Sequence, residues 1–229
     1  MAESLGKSNA FLQRLEKMKV KHTTFRTCAL IVAGGLLHST VFANSLVDGS
    51  ADAGQRKSVT CGACHGPDGN SVNPMWPSLA GQHAQYVYKQ LQAFKNGSRK
   101  DVLMSGQAMM LSDDDMLDLA VYFEGQTAAA KAVADPSTVD KGERLYRGGD
   151  SESDVSACLA CHGPTGRGNP AASYPSIHGQ YATYTAKQLR DYASGTRVSD
   201  GPTRVMRDIS KRLSEEDIQA VASYIQGLK

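Results

Sequence analysis

Apolar residues recur along this chain at helical spacing, and they do so twice. Tyr86, Gln90, Leu91 and Phe94 mark one face of a predicted helix that Gly97 ends. Tyr184, Leu189 and Tyr192, followed by Gly195, repeat the pattern about a hundred residues later. Ser112 with Asp115, and Ser214 with Asp217, have the spacing of a capping box. Both pairs stand immediately before renewed apolar periodicity, so a final helix is predicted to open at each. No alternating pattern with hairpin turns appears. The predicted fold is all-α.

The recurrence extends well beyond these helices. PSLAGQHAQYVYKQLQAFKNGSR (77–99) aligns without a gap on PSIHGQYATYTAKQLRDYASGTR (175–197), and LSDDDMLDLAVYFEGQ (111–126) aligns on LSEEDIQAVASYIQGL (213–228). The offset grows from 97 at the cysteines to 98 and then 102, which places one small insertion before Pro175 and another between Arg197 and Met206. Two tandem domains related by an internal repeat follow: residues 44–124 and 141–229, joined by an Ala-rich linker, 125–140, that Pro136 interrupts. Halves this small stabilise themselves only marginally, so an internal cofactor would help each of them.

The first 43 residues differ in kind. Lys17, Lys19, Lys21, His22 and Arg26 precede an apolar run from Cys28 to Leu37 and a small-residue end at Ala43. That order describes a secretory signal peptide cleaved near Ala43–Asn44. The run is about half the ~20 residues a membrane span needs. Met18 would give a leader of more usual length than Met1. Residues 1–43 carry six Lys and Arg against Glu3 and Glu16, so cleavage takes the chain from its formal +2 to −2. The basic balance therefore belongs to the leader, and no interleaved basic and aromatic cluster remains to bind nucleic acid.

Four cysteines remain after the leader, as CGACH (61–65) and CLACH (158–162). Export makes disulfides the first expectation. A zinc clip wants four ligands of tetrahedral spacing, and a thioredoxin-like dithiol wants a βαβ setting. Neither fits a pair followed at once by histidine. Covalent haem fits directly: Cys61 and Cys64, and Cys158 and Cys161, offer two thiols a helical turn apart, and His65 and His162 present imidazole to iron.

The repeat also selects the opposite iron ligand. His83 aligns with Tyr181 and His178 with Ala80, so neither recurs. Met75, Met109, Met110 and Met116 align with Ser173, Lys211, Arg212 and Ile218. Only Met104 and Met206 are equivalent, each eight residues before the serine that opens the final helix. They are the expected axial ligands. Thioether beside imidazole raises the reduction potential and fills the coordination sphere.

With CGACHGPDGN, PSLAGQ, YxxKQL, GSR and the methionine before LSDDD, then RGGD, CxxCHGPTGRG, DGPTRVM and SYIQGL, the chain resembles the dihaem cytochrome c4 family of bacterial periplasmic class I c-type cytochromes. The resemblance spans about Ala51 to Lys229. It implies two haem c groups, a pseudo-twofold arrangement of two cytochrome c folds with the propionates near their junction, and a monomeric, non-enzymatic electron carrier in the periplasm. It further implies delivery from a quinol-oxidising cytochrome bc complex towards a terminal oxidase or reductase, and leaves room for peripheral membrane association. Pro77 and Pro175 match the family's proline whose carbonyl accepts the proximal histidine's N–H, against the competing reading of a plain turn proline. Arg99 and Arg197 suit propionates, against a solvated surface role. Trp76 and Tyr174 either cover a haem edge or pack in the core. Two other functions remain open: the dihaem subunit of a flavin-containing dehydrogenase, and a dihaem peroxidase.

Overall fold

The structure, a computed structural model, describes residues 46–229. The leader expected at 1–43, with Cys28 and the alternative start at Met18, lies outside the described residues.

Each half is built from five helices in the same order. The first half has α1 (Ala51–Lys57), α2 (Val59–His65), α3 (Ala84–Lys95), α4 (Val102–Met109) and α5 (Asp113–Glu124). The second has α6 (Val139–Gly148), α7 (Leu159–His162), α8 (Ala182–Ala193), α9 (Val205–Ser210) and α10 (Glu215–Gly227), with short 3₁₀ turns at Pro136–Thr138 and Pro170–Ala172. Extended pairing among the described residues is confined to two isolated bridges, Asp150 with Val155 and Asn169 with Tyr174. The all-α expectation holds.

The helix ends follow from local chemistry. Ser112 and Ser214 each accept from the backbone N–H three residues on, and the carboxylates of Asp115 and Asp217 accept in turn from the serine backbone N–H, so both expected capping boxes form. Gly97 and Gly195 sit beyond α3 and α8 at φ +79° and +76°, a left-handed conformation that glycine adopts without penalty.

In each half the first helix crosses the last, and the third packs against the last from another side. The crossings depend on glycine. A Cβ on Gly54 would lie 2.1 Å from the Asp118 carbonyl oxygen, and one on Gly142 would lie 2.3 Å from that of Ala220. Only hydrogen at these two positions lets α1 meet α5, and α6 meet α10, so closely. Above each crossing sits an aromatic pair. Tyr122 packs edge-on to Phe123 in the first half, and Tyr146 tilts against Tyr224 in the second. The second half has one continuous core, including Leu145, Tyr146, Leu189, Ile218, Val221 and Ile225. The first splits its core into two patches around Ala120 and Phe123.

The Ala-rich connection is tied to both halves. Asn70 receives the Ala129 N–H and donates to the Thr127 carbonyl, while Ser223 accepts from the Asp135 N–H and Gln226 donates to the Ala132 carbonyl.

Candidate haem-binding sites

The two motifs occupy equivalent places. Cys61, Cys64 and His65 lie on α2 up to its last residue; Cys158 precedes α7, which carries Cys161 and ends on His162. All four thiols are free and half-buried, and Cys61 and Cys158 pack against the cores of their own halves. Burial pushes the Cys61 thiol up and the Cys158 thiol up to about 11, so both are protonated and uncharged at neutral pH.

His65 and His162 are buried, and each ring is fixed by one backbone oxygen. Nδ1 of His65 lies 2.8 Å from the Pro77 carbonyl, and Nδ1 of His162 lies 2.9 Å from that of Pro175. Burial lowers both imidazoles below their ordinary value, only partly opposed by the carbonyl contact, so each ring is neutral. A neutral ring can meet a carbonyl only as a donor, which places the proton on Nδ1 and leaves the Nε2 lone pair free.

Met104 and Met206 are half-buried, in contrast to Met75, Met109 and Met110, which are exposed, and Met116, which is core. Each is positioned by a different device. In the first half Asp101 caps α4, accepting from the Leu103 and Met104 N–H groups at 3.1 and 3.0 Å. In the second half, where the loop is four residues longer, buried Asp200 accepts from the Arg207 backbone N–H and from its Nε at 2.7 Å, bracketing Met206. Met206 rests against the second core.

The donor set fits covalent haem. No group of three or more His, Cys, Asp or Glu among the described residues could hold a metal ion by itself. What each half offers is two free thiols, one neutral imidazole with Nε2 available, and a thioether. That combination suits iron in a thioether-linked porphyrin.

Arg99 and Arg197 are 8% and 4% exposed, so a solvated surface role is excluded. Both lie in the seam between the halves. Arg99 donates to Gln90, to Tyr184 and to Gln188; Arg197 donates to Gln188, to Tyr86, to Gln90 and to Ser199. Among the described residues neither guanidinium pairs with a carboxylate. Burial alone would raise the Tyr86 hydroxyl, but the Arg197 and Arg99 charges bring it below the ordinary phenol value.

Other seam contacts come in matched pairs that the sequence reading missed. Gln82 and Gln180 each bind backbone of the opposite half, at Ser176 and Ser78. His83 Nε2 lies 2.7 Å from the Arg167 carbonyl, and its counterpart Tyr181 donates to the Ser71 carbonyl at 2.8 Å. The available signal was the identity of Gln82 with Gln180 and of Ser78 with Ser176 in the two repeats, which marks a shared environment without naming it; His83 and Tyr181 differ and gave no such signal. Trp76 is half-buried, and Tyr174 is 36% exposed with its ring 6.5 Å from that of His162.

Comparison with known proteins agrees with this geometry. The cytochrome c family model matches residues 51–126 and again 139–229. A cytochrome c4 of Azotobacter vinelandii is 49% identical over 189 residues, covering 79% of this chain and 90% of that protein. The crystal structure of reduced recombinant cytochrome c4 from Pseudomonas stutzeri superposes with a TM-score of 0.77 at 46% identity, covering 80% of this chain and all of the other. A thiosulfate dehydrogenase electron acceptor of Stutzerimonas stutzeri is 37% identical over 169 residues, covering 72% of this chain and 77% of that protein. The family model recognises each half separately, and the match to cytochrome c4 runs across the seam; the chain therefore belongs to the cytochrome c family, among the dihaem electron carriers of cytochrome c4 type, and carries two covalently bound haem c groups.

Proposed function

We propose that this chain is an exported, periplasmic electron shuttle without enzymatic activity, taking electrons from a quinol-oxidising cytochrome bc complex and passing them to a terminal oxidase or reductase. Cys61 and Cys64 would hold one haem and Cys158 and Cys161 the other. His65 with Met104, and His162 with Met206, would be the axial ligands. The bound group supplies an iron centre that changes oxidation state by one electron. His65, Met104, His162 and Met206 would hold the iron and leave no site for oxygen or peroxide, and the two thioethers would set the potential high. Arg99 and Arg197, buried cations without a carboxylate partner among the described residues, would balance the propionates.

The observation that carries this reading is the matched pair His65–Pro77 and His162–Pro175. In two places the chain presents a buried imidazole with Nδ1 committed and Nε2 free. Among the described residues no helix is long and apolar enough to cross a membrane, so any membrane association would be peripheral or lie in the leader.

The deciding experiment exposes the reduced dihaem protein to carbon monoxide. A shuttle leaves both spectra unchanged and shows a methionine–iron charge-transfer band when oxidised; rapid binding at one centre would instead identify a peroxidase.

A second reading has its own support. Likeness to a thiosulfate dehydrogenase electron acceptor favours an oxidising enzyme as donor, the role also expected of a flavin dehydrogenase subunit. Size-exclusion of the native protein with absorbance detection separates the readings. Co-elution with a flavin-bearing chain would favour the subunit, whereas a free monomer reduced faster by the bc complex than by a dehydrogenase supports the shuttle.

A further inference from the structure

The Pro77–Ser78 peptide is held at both ends. Its carbonyl accepts from His65 Nδ1 at 2.8 Å, and its N–H donates to Gln180 Oε1 at 2.9 Å. The Pro175–Ser176 peptide repeats this: its carbonyl accepts from His162 Nδ1 at 2.9 Å, and its N–H donates to Gln82 Oε1 at 3.0 Å. Each glutamine then donates from Nε2 to the serine's own carbonyl, Gln180 to Ser78 at 2.9 Å and Gln82 to Ser176 at 2.7 Å. Both glutamines thus clasp two successive peptide groups, a geometry that fixes amide orientation as well as position.

The glutamine and the histidine in each relay belong to opposite halves. Gln180 lies just before α8 and reaches the peptide that holds the first half's histidine; Gln82 lies just before α3 and reaches the one that holds the second's. Gln82 and Ser176 are buried, so water does not compete there.

An amide is one conjugated unit, so donating its N–H shifts electron density towards its oxygen. The stronger carbonyl then draws harder on the histidine Nδ1–H, which makes the imidazole a more basic ligand at Nε2. More basic imidazole favours the oxidised iron, and hydrogen bonding to the ligand is one of the protein's levers on potential.

We propose that Gln82 and Gln180 are reciprocal positioning residues, each lowering the reduction potential of the iron in the opposite half through the proline–serine peptide. This rests on His65 and His162 being the proximal ligands. The seam is then part of both redox centres, and loosening it raises both potentials together.

The test uses the purified dihaem protein with Gln180→Met and Gln82→Met. Potentiometric titration is followed at haem methyl resonances assigned to each half. Gln180→Met is expected to raise the potential of the first-half centre and move the His65 Nδ1–H resonance upfield, leaving the second half unshifted. Gln82→Met is expected to do the converse. A shift confined to the substituted residue's own half, or no shift in either, overturns the proposal. A methionine that merely loosens the fold would disturb both halves, so Gln180→Asn serves as the second variant. Its amide is one methylene too short to reach the Ser78 N–H, so the first-half potential should rise while the second stays; no rise there overturns the proposal even if the methionine variants do not fold. The proximal-ligand reading is checked separately on the unsubstituted protein, through contact-shifted ring protons of His65 and His162. Their absence would fail that reading without involving either glutamine.

Discussion

Arg197 donates to the Tyr86 hydroxyl of the other half at 2.7 Å, and Arg99 returns the bond to Tyr184 at 2.8 Å. The two guanidiniums also share acceptors, since Gln188 Oε1 and Gln90 Oε1 each receive from both. Three residues from each half, in three equivalent repeat positions, therefore form one polar cluster at the seam, where a mismatch cannot be relieved by solvent.

Tyr86→Phe removes a neutral acceptor from a buried cation. The expected cost is about 1–3 kcal/mol in denaturant unfolding of the dihaem protein. Because Tyr86 and Tyr184 belong to one network, the double Phe variant should depart from additivity by about 0.5 kcal/mol or more. Tyr88→Phe is the control. That hydroxyl meets only Asp113 and Gln92 at the surface, and its loss should cost less than about 1 kcal/mol.

Gly142→Ala tests the helix crossing. The new methyl would stand 2.3 Å from the Ala220 carbonyl and 2.8 Å from Tyr224 Cβ, and neither backbone nor a fully packed core can yield cheaply. Overpacking of this kind costs about 1–3 kcal/mol or more. Gly148→Ala meets nothing within 4 Å and should be stabilising or neutral, since alanine is the better helix former. Thermal melts of the two variants should therefore move in different directions. Equal shifts would mean that the crossing distance does not limit the fold.

What the sequence made legible was whatever is encoded locally and twice. The capping boxes at Ser112 and Ser214, the glycine stops and the CxxCH motifs depend on neighbours within a few residues, so spacing reports them. Met104 and Met206 emerged only by comparing the halves, and the structure distinguishes them from the exposed Met109 and Met110. Contacts between distant segments left no periodic trace. Gly54 and Gly142 matter because of a carbonyl some seventy residues away in the chain. Arg99 and Arg197 looked equally suited to solvent because charge alone predicts exposure. Their burial depends on tyrosines and glutamines contributed by the other half.

Met104→His exchanges thioether for imidazole at the first centre. A second nitrogen ligand stabilises oxidised iron, so that centre's potential should fall while the haem stays covalently attached. Met206→His should do the same at the second centre. Redox titration monitored in the visible spectrum reads both, and loss of the methionine charge-transfer band should accompany each fall. Unchanged potentials would mean that the ligand comes from elsewhere, with Met109 and Met110 the next candidates in the first half.

At the start of α10, Glu215 is bonded to Arg190 of α8, with its Oε2 accepting from Arg190 Nε at 3.0 Å. This bond, helped by Gln219, holds the Glu215 carboxyl at about 2, below its ordinary 4.5. A carboxyl depressed on folding contributes stability that is complete above the unfolded value and is lost as pH falls towards the folded one. The contribution should therefore be present near pH 6, decline from about 4.5, and vanish near 2. Arg190→Met removes it. The difference in melting midpoint between the original protein and this variant should be clear near pH 6 and close to zero near pH 2. Both groups are exposed, so raising the salt at the higher pH should shrink that difference as well. A difference that persists unchanged at the acid end would assign the effect of Arg190 to its packing against α10 and not to its charge.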